Sequence, residues 1–99
     1  MIIFKKKYLD LVRQGRKTMT VRCWKKDHNL KSGDIVAASN YRDSFPIRIV
    51  SVEFIKCQDL NEEHAKADGF ETLKDLREAL EKIYGNLDFV ATVIRFQVV

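Results

Sequence analysis

Thr18-Met19-Thr20-Val21-Arg22-Cys23 alternates polar and apolar side chains along its whole length and is rich in β-branched residues. Alternation of that kind predicts a strand. Met19, Val21 and Cys23 then face the core, and Thr18, Thr20 and Arg22 share the opposite surface. Upstream, Phe4, Tyr8, Leu11 and Val12 recur at helical spacing, and Gly15 follows as a left-handed stop. A helix is expected from about Lys5 to Gln14, with Arg16 and Lys17 in its exit. Downstream, no helical pattern intervenes before two further strands, Ile35 to Ser39 and Ile47 to Cys57. A basic loop from Trp24 to Lys31, the turn Ser32-Gly33-Asp34 and a second loop from Asn40 to Pro46 separate them. In the longer strand, Ile47, Ile49 and Ile55 lie on one side and Val50, Val52 and Phe54 on the other, which predicts burial on both faces.

The second half supplies the helices. Asn61 is placed to cap a short helix through Ala67, which Gly69 ends. Thr72 caps another, whose stripe Leu73, Leu76, Leu80, Ile83 and Tyr84 is expected to pack on the sheet before Gly85 stops it. Phe89 to Val99 is the last strand, with Val90, Ile94, Phe96 and Val98 on one side. Met1-Ile2-Ile3 can add one more. The order is α+β rather than alternating βαβ. Short strands without crossover helices predict a mixed or antiparallel sheet that curls into a small β-barrel with flanking helices.

Composition limits what such a chain can be. A length of 99 residues is that of one domain, residues 1–99. Hydrophobic residues are 45% and charged residues 32%, an ordinary globular balance. Four glycines and one proline exclude a Pro/Gly-rich linker or a collagen-like repeat. The runs Met1-Ile2-Ile3-Phe4 and Ile35-Val36-Ala37-Ala38 fall far short of the roughly 20 apolar residues of a membrane helix. Lys5-Lys6-Lys7 follows its apolar run, whereas a secretion signal puts its charge first. Cys23 and Cys57 are too few and too far apart for a zinc site, and no His-x-His or Cys-x-x-Cys spacing occurs. Two free thiols in a reducing cytoplasm are expected, with no metal, no cofactor and no membrane partner.

Charge is divided unevenly. Residues 1–50 carry 12 Lys/Arg against 4 Asp/Glu, a net +8, and residues 51–99 carry 6 against 10, a net −4. The basic half suits an anionic partner such as nucleic acid, and equally a solvated lysine surface.

Chemistry concentrates in Gly15-Arg16-Lys17-Thr18-Met19-Thr20-Val21-Arg22. Lys17 and Thr20 would face opposite sides of an ideal strand, so Lys17 reaches Thr20 only from the exit turn. A threonine hydroxyl is a weak nucleophile until a base takes its proton. A desolvated lysine beside another cation is such a base, and Arg22 is that cation. Arg22 is also suited to holding a phosphate or a carbonyl oxygen. The plain alternative is an outward strand face with solvated Thr and Arg, and residue types alone leave it open. Asp68, before Gly69, reads by itself as a helix end. His64, at the third helical position, reads as a cap, and His28 as solvated. Tyr41 and Phe45 either stack on a base or fold back onto the core.

Gly15-x-Lys17-x-x-Thr20-x-Arg22, followed by Leu30-x-x-Gly33-Asp34, resembles the signature of the ASCH family. Asp59-Leu60-Asn61-Glu62-Glu63-His64-Ala65, Asp68-Gly69-Phe70, Leu73-x-x-Leu76 and Tyr84-Gly85 continue the resemblance in order across nearly the whole chain. It implies a PUA-like fold, a small barrel with helices at its mouth, and a cleft that binds RNA. The usual ASCH pattern has glutamate where this chain has Thr20. One small bacterial branch has threonine there and hydrolyses the amide of N4-acetylcytidine to acetate and cytidine. In that branch the motif's lysine and threonine act with a glutamate from the helical segment. Lys17 and Thr20 match, and Asp68 stands in the glutamate's place, shorter by one methylene or roughly 1.5 Å.

Two functions are thus expected of one cleft. As a binding module it takes RNA or a nucleotide, with Arg16, Lys17, Thr20, Arg22, Lys25 and Lys26 at the ligand and Tyr41 stacked on a base. As an enzyme it takes one modified nucleoside, N4-acetylcytidine, with Lys17, Thr20 and Asp68 catalytic.

Overall fold

The computed structural model describes residues 1–25 and 28–99. Among these residues, five strands form one mixed sheet, curled into a half-barrel and flanked by three helices. In chain order the elements are β1 (Ile2–Ile3), α1 (Lys6–Arg13), β2 (Met19–Arg22), β3 (Ile35–Ser39), β4 (Ser44–Lys56), α2 (Glu62–Ala67), α3 (Leu73–Tyr84) and β5 (Val90–Val98). A single 3-10 turn, Cys57–Asp59, leads from β4 toward α2. The strand order is β1-β3-β4-β5-β2, with β1 parallel to β3 and every other pairing antiparallel. The sheet therefore opens and closes on its two shortest strands, β1 and β2.

The ends of α2 and α3 are built from their local sequence. Asn61 accepts from the backbone of Glu63 and His64, while Nδ1 of His64 accepts from the Asn61 backbone, a complete capping box for α2. Thr72 caps α3 through the Asp75 amide, and Gly85 ends it in the left-handed region. Arg95 of β5 donates to both carboxylate oxygens of Glu63, at 2.6 and 3.1 Å, and so holds the start of α2 against the sheet.

Period-two alternation in β5 divides the core. Ile94 and Phe96 join Ile2, Phe4, Leu9, Val12, Ala38, Ile47 and Ile49 on the α1 side. Ala91 and Val93 join Met19, Val21, Cys57, Leu60, Ala65, Leu76 and Leu80 on the side of α2 and α3. Thr20 and Arg22 lie on the α1 side of β2. That face is not an open polar surface, because β1 and α1 cover it: Thr20 is buried and Arg22 half-buried.

Two expectations about apolar residues need correction. The register of β4 against β5 shifts between Ile49 and Ser51, which makes Val50 the extra residue of a bulge and leaves it exposed. Phe54, farther along β4, is 71% exposed, so burial on both faces holds for only part of the strand. In β5, Ile94 and Phe96 are buried, and Val90 and Val98, at the strand's ends, are exposed. Ile83 is exposed as well, and the packing stripe of α3 is Leu73, Leu76, Leu80 and Tyr84. β4 begins at Ser44, so the loop before it is shorter than the expected one to Pro46. Cys23 and Cys57 are both free. Among the described residues, no helix is long and apolar enough to cross a membrane.

Candidate active site

Two helix ends meet to make the site. α1 stops at Gly15, whose φ of 75° is the left-handed geometry that glycine adopts without a Cβ clash. The Gly15 amide donates to Val12 and the Arg16 amide to Leu11, the paired bonds of a Schellman cap. α2 closes in the same way around Gly69, with φ 92°: its amide donates to Lys66 and that of Phe70 to Ala65. The Thr18 amide then donates to the Ala67 carbonyl at 2.8 Å and ties the two ends together. A Cβ on Gly69 would lie 3.3 Å from Cδ1 of Leu11 and 3.6 Å from Cβ of Lys17. Glycine is needed there for conformation and also for close approach.

This junction turns Lys17 and Asp68 toward each other. Both are 4% exposed. The Lys17 ammonium pairs with the Asp68 carboxylate and donates to the Asp68 backbone carbonyl at 3.1 Å. It also lies over the rings of Tyr8 and Phe4, 5.5 and 5.8 Å from their centres. Burial, and after it the Arg22 guanidinium, bring the Lys17 pKa from 10.5 down to about 7. The Asp68 carboxylate acts in the opposite sense and favours the ammonium form.

Thr20 reaches the same space from β2. Its Oγ1 accepts a hydrogen bond from Nε of Arg22 at 3.0 Å. Nη2 of Arg22 donates to the Ile3 carbonyl at 2.8 Å, and the guanidinium lies 5.0 Å from the centre of the Phe4 ring. One side chain thus joins the two edge strands of the half-barrel and holds the Thr20 oxygen. Burial pulls the Arg22 pKa below its ordinary value, and the group remains a cation at neutral pH. A positive charge bonded to a hydroxyl oxygen stabilises the alkoxide that forms when the proton leaves.

The four polar residues form the floor of a cleft of about 540 Å³. Phe4, Tyr8, Phe70 and Tyr84 supply aromatic surface, and Leu76, Ala79, Leu80 and Ile83 make α3 one wall. Lys5, Lys6 and the hairpin residues Asn40, Tyr41 and Arg42 form the rim. Of the residues singled out from sequence, Lys17, Thr20, Arg22, Asp68 and Tyr41 come together here. Tyr41 stands at the hairpin tip, 81% exposed with φ 74°, and has not folded back on the core. Phe45 packs against the core. Arg16 and Lys25 are exposed and lie outside the cleft lining, and Lys26 is outside the described residues. His64 serves its cap, and His28 stacks on Trp24 at 3.8 Å. Among the described residues, no group of three or more His, Cys, Asp or Glu is placed to hold a metal.

The sequence marks Tyr41 of the rim but not the other rim residues or the aromatic walls. Phe4, Tyr8 and Tyr84 carry helical periodicity and read as core, while Lys5 and Lys6 read only as a charge run. No local signal distinguishes a core aromatic from one that lines a cleft.

Comparison with known proteins agrees with this architecture. The family model for the ASCH domain matches residues 1–99. An N(4)-acetylcytidine amidohydrolase of Haemophilus influenzae strain PittEE is 34% identical over 88 residues, which span 86% of this chain and 83% of that protein. The corresponding protein of strain 86-028NP is 31% identical over 101 residues, spanning 99% and 94%. Among solved structures, an ASCH domain from Lactobacillus crispatus JV V101 has the same fold, with a TM-score of 0.82 at 18% identity over 93% of this chain and 70% of that one. The chain belongs to the ASCH domain family.

Proposed function

We propose that the cleft is the active site of an amidohydrolase that cleaves N4-acetylcytidine to acetate and cytidine. The observation that carries this reading is the buried Lys17 amine, held by Asp68 in the cleft that Thr20 also lines, with its pKa lowered to about 7. A buried lysine with that pKa is a base, and a threonine held by Arg22 is a nucleophile for it to activate. Relatives of about 30% identity that carry this activity in their names support the same substrate. Asp68 meets Lys17 although it is shorter than glutamate, because the Gly69 turn brings the two helix ends close.

In the reaction, Oγ1 of Thr20 attacks the acetyl carbon while Nζ of Lys17 takes the hydroxyl proton. That proton passes to N4 of the cytosine as the carbon–nitrogen bond breaks. Cytidine leaves, and the acetyl group remains as an ester on Thr20. Water, losing a proton to Lys17, attacks the ester; acetate leaves and Thr20 recovers its hydroxyl. Asp68 keeps Lys17 in place throughout, and the cysteines, both free, suit a reducing cytoplasm.

The test is release of cytidine from N4-acetylcytidine, followed by chromatography with protein in large excess. The parent releases cytidine, and Thr20→Ala and Lys17→Ala each slow it at least about a hundredfold. No cytidine from the parent would overturn the reading. A second reading, capture of single-stranded RNA, is favoured by the net +8 of residues 1–50. On that reading Arg16 and Lys25 meet phosphates, and affinity falls steeply with salt.

A further inference from the structure

The charge around the cleft exceeds what a neutral substrate needs. Lys5, Lys6 and Arg42 line its rim, and its lining contains one carboxylate, Asp68, which is buried on Lys17. Lys6 has a partner, Asp10, at 3.8 Å, but both side chains are largely exposed, and such a pair neutralises little. Asp43, next to Arg42, is held by Arg13. α1 starts at this rim with three consecutive lysines, no acidic residue in its first turn and no side-chain cap. Cations at the positive end of a helix dipole destabilise it, and an anion at the rim would relieve them.

The hairpin opposite is set rather than loose. Oδ1 of Asn40 accepts from the amides of Arg42 and Asp43 at 3.0 and 2.7 Å, and Oγ of Ser39 accepts from the Tyr41 amide. The Phe4 amide donates to the Ser39 carbonyl, which fixes the lysine run against this hairpin. Two rigid segments thus bring cations to the rim of one cleft whose floor holds the reacting groups.

We propose that the rim formed by Lys5, Lys6 and Arg42 binds a phosphate on the ribose, so that an N4-acylated cytidine nucleotide is preferred as substrate over the free nucleoside. The proposal rests on the amidohydrolase reading for the acyl group alone. The phosphate site is read by binding, without turnover.

Calorimetric titration compares cytidine with cytidine 5′- and 3′-monophosphates at low ionic strength. One monophosphate binds about tenfold tighter than cytidine, the effect of two or three partly exposed charge contacts, and the advantage shrinks in high salt. The double variant K5Q/R42Q loses most of that advantage, while Lys74→Gln, on the far side of α3, keeps it. The same ratio is expected in kcat/KM when acetylated nucleoside and nucleotide are hydrolysed. Equal affinity for cytidine and both monophosphates would overturn the proposal, whether or not any substrate is cleaved. So would tighter binding of a short oligoribonucleotide than of either monophosphate, which would assign the rim to RNA. Failure to hydrolyse both acetylated compounds, with the monophosphate still bound more tightly, would sink the amidohydrolase reading and leave the phosphate site standing.

Discussion

Lys17 is a base because of where it is buried. Its pKa of about 7 depends first on desolvation and second on Arg22, and Arg22 also holds the Thr20 hydroxyl. This double duty gives Arg22→Gln a signature that simple loss of packing lacks. Removal of the guanidinium charge raises the Lys17 pKa, so more of the amine is protonated at any given pH. In the parent, kcat/KM for N4-acetylcytidine is expected to rise with pH and level off above about 7. In Arg22→Gln the rise moves to higher pH and the plateau itself is lower. Asp68→Asn moves the rise the opposite way, because it removes the charge that favours the ammonium. Rate profiles for the three proteins check this, and an unmoved profile in Arg22→Gln would separate Arg22 from the titration of Lys17.

At the scale of elements, two Schellman caps do the positioning. Gly69 and Gly85 both adopt left-handed φ values, 92° and 82°, after the ends of α2 and α3. A Cβ at Gly85 meets nothing within 4 Å, whereas one at Gly69 crowds Leu11 and Lys17. Alanine at either site strains the backbone by about 1–2 kcal/mol. The expected difference is in function. Gly85→Ala lowers the urea midpoint and leaves turnover near that of the parent. Gly69→Ala lowers both, because it pushes apart the two helix ends that bring Lys17 to Asp68. Equal turnover in the two variants would mean that the junction tolerates the extra methyl group.

The whole molecule carries a cost for its buried lysine. The folded-state pKa of about 7 lies below the 10.5 of the ordinary group. Between those values the unfolded chain binds a proton that the folded chain does not, so stability rises with pH. Below about 7 both states are protonated and the penalty of burial is fully present. Above about 10.5 both are neutral and the penalty is gone. Urea unfolding at a series of pH values is expected to show this rise across roughly pH 7 to 10.5 in the parent, with a flatter course in Lys17→Met. The same slope in both would mean that Lys17 keeps its proton in the fold. At this scale, too, the curl of the sheet brings β1 and β2 near enough for Arg22 to span them, and the cleft lies where the half-barrel nearly closes.

Local pattern was enough for the elements. Strand alternation at Met19–Arg22, the caps Asn61 and Thr72 and the stops at Gly15, Gly69 and Gly85 depend on neighbours a few residues away, so they are legible in order along the chain. The motif residues Lys17, Thr20 and Arg22 are legible for the same reason, being close in sequence. Burial depends on what lies across the molecule. Whether Thr20 faced water or a covered floor was decided by β1 and α1, whether Val50 and Phe54 were buried by a bulge and by the extent of β4, and whether Ile83 met the sheet by the way α3 lies along the cleft. The contact between Lys17 and Asp68 spans 51 positions of sequence. No periodicity reaches that far, and only the docking of two helix ends brings the pair together and removes it from water, which is what lowers the lysine's pKa and makes it a base.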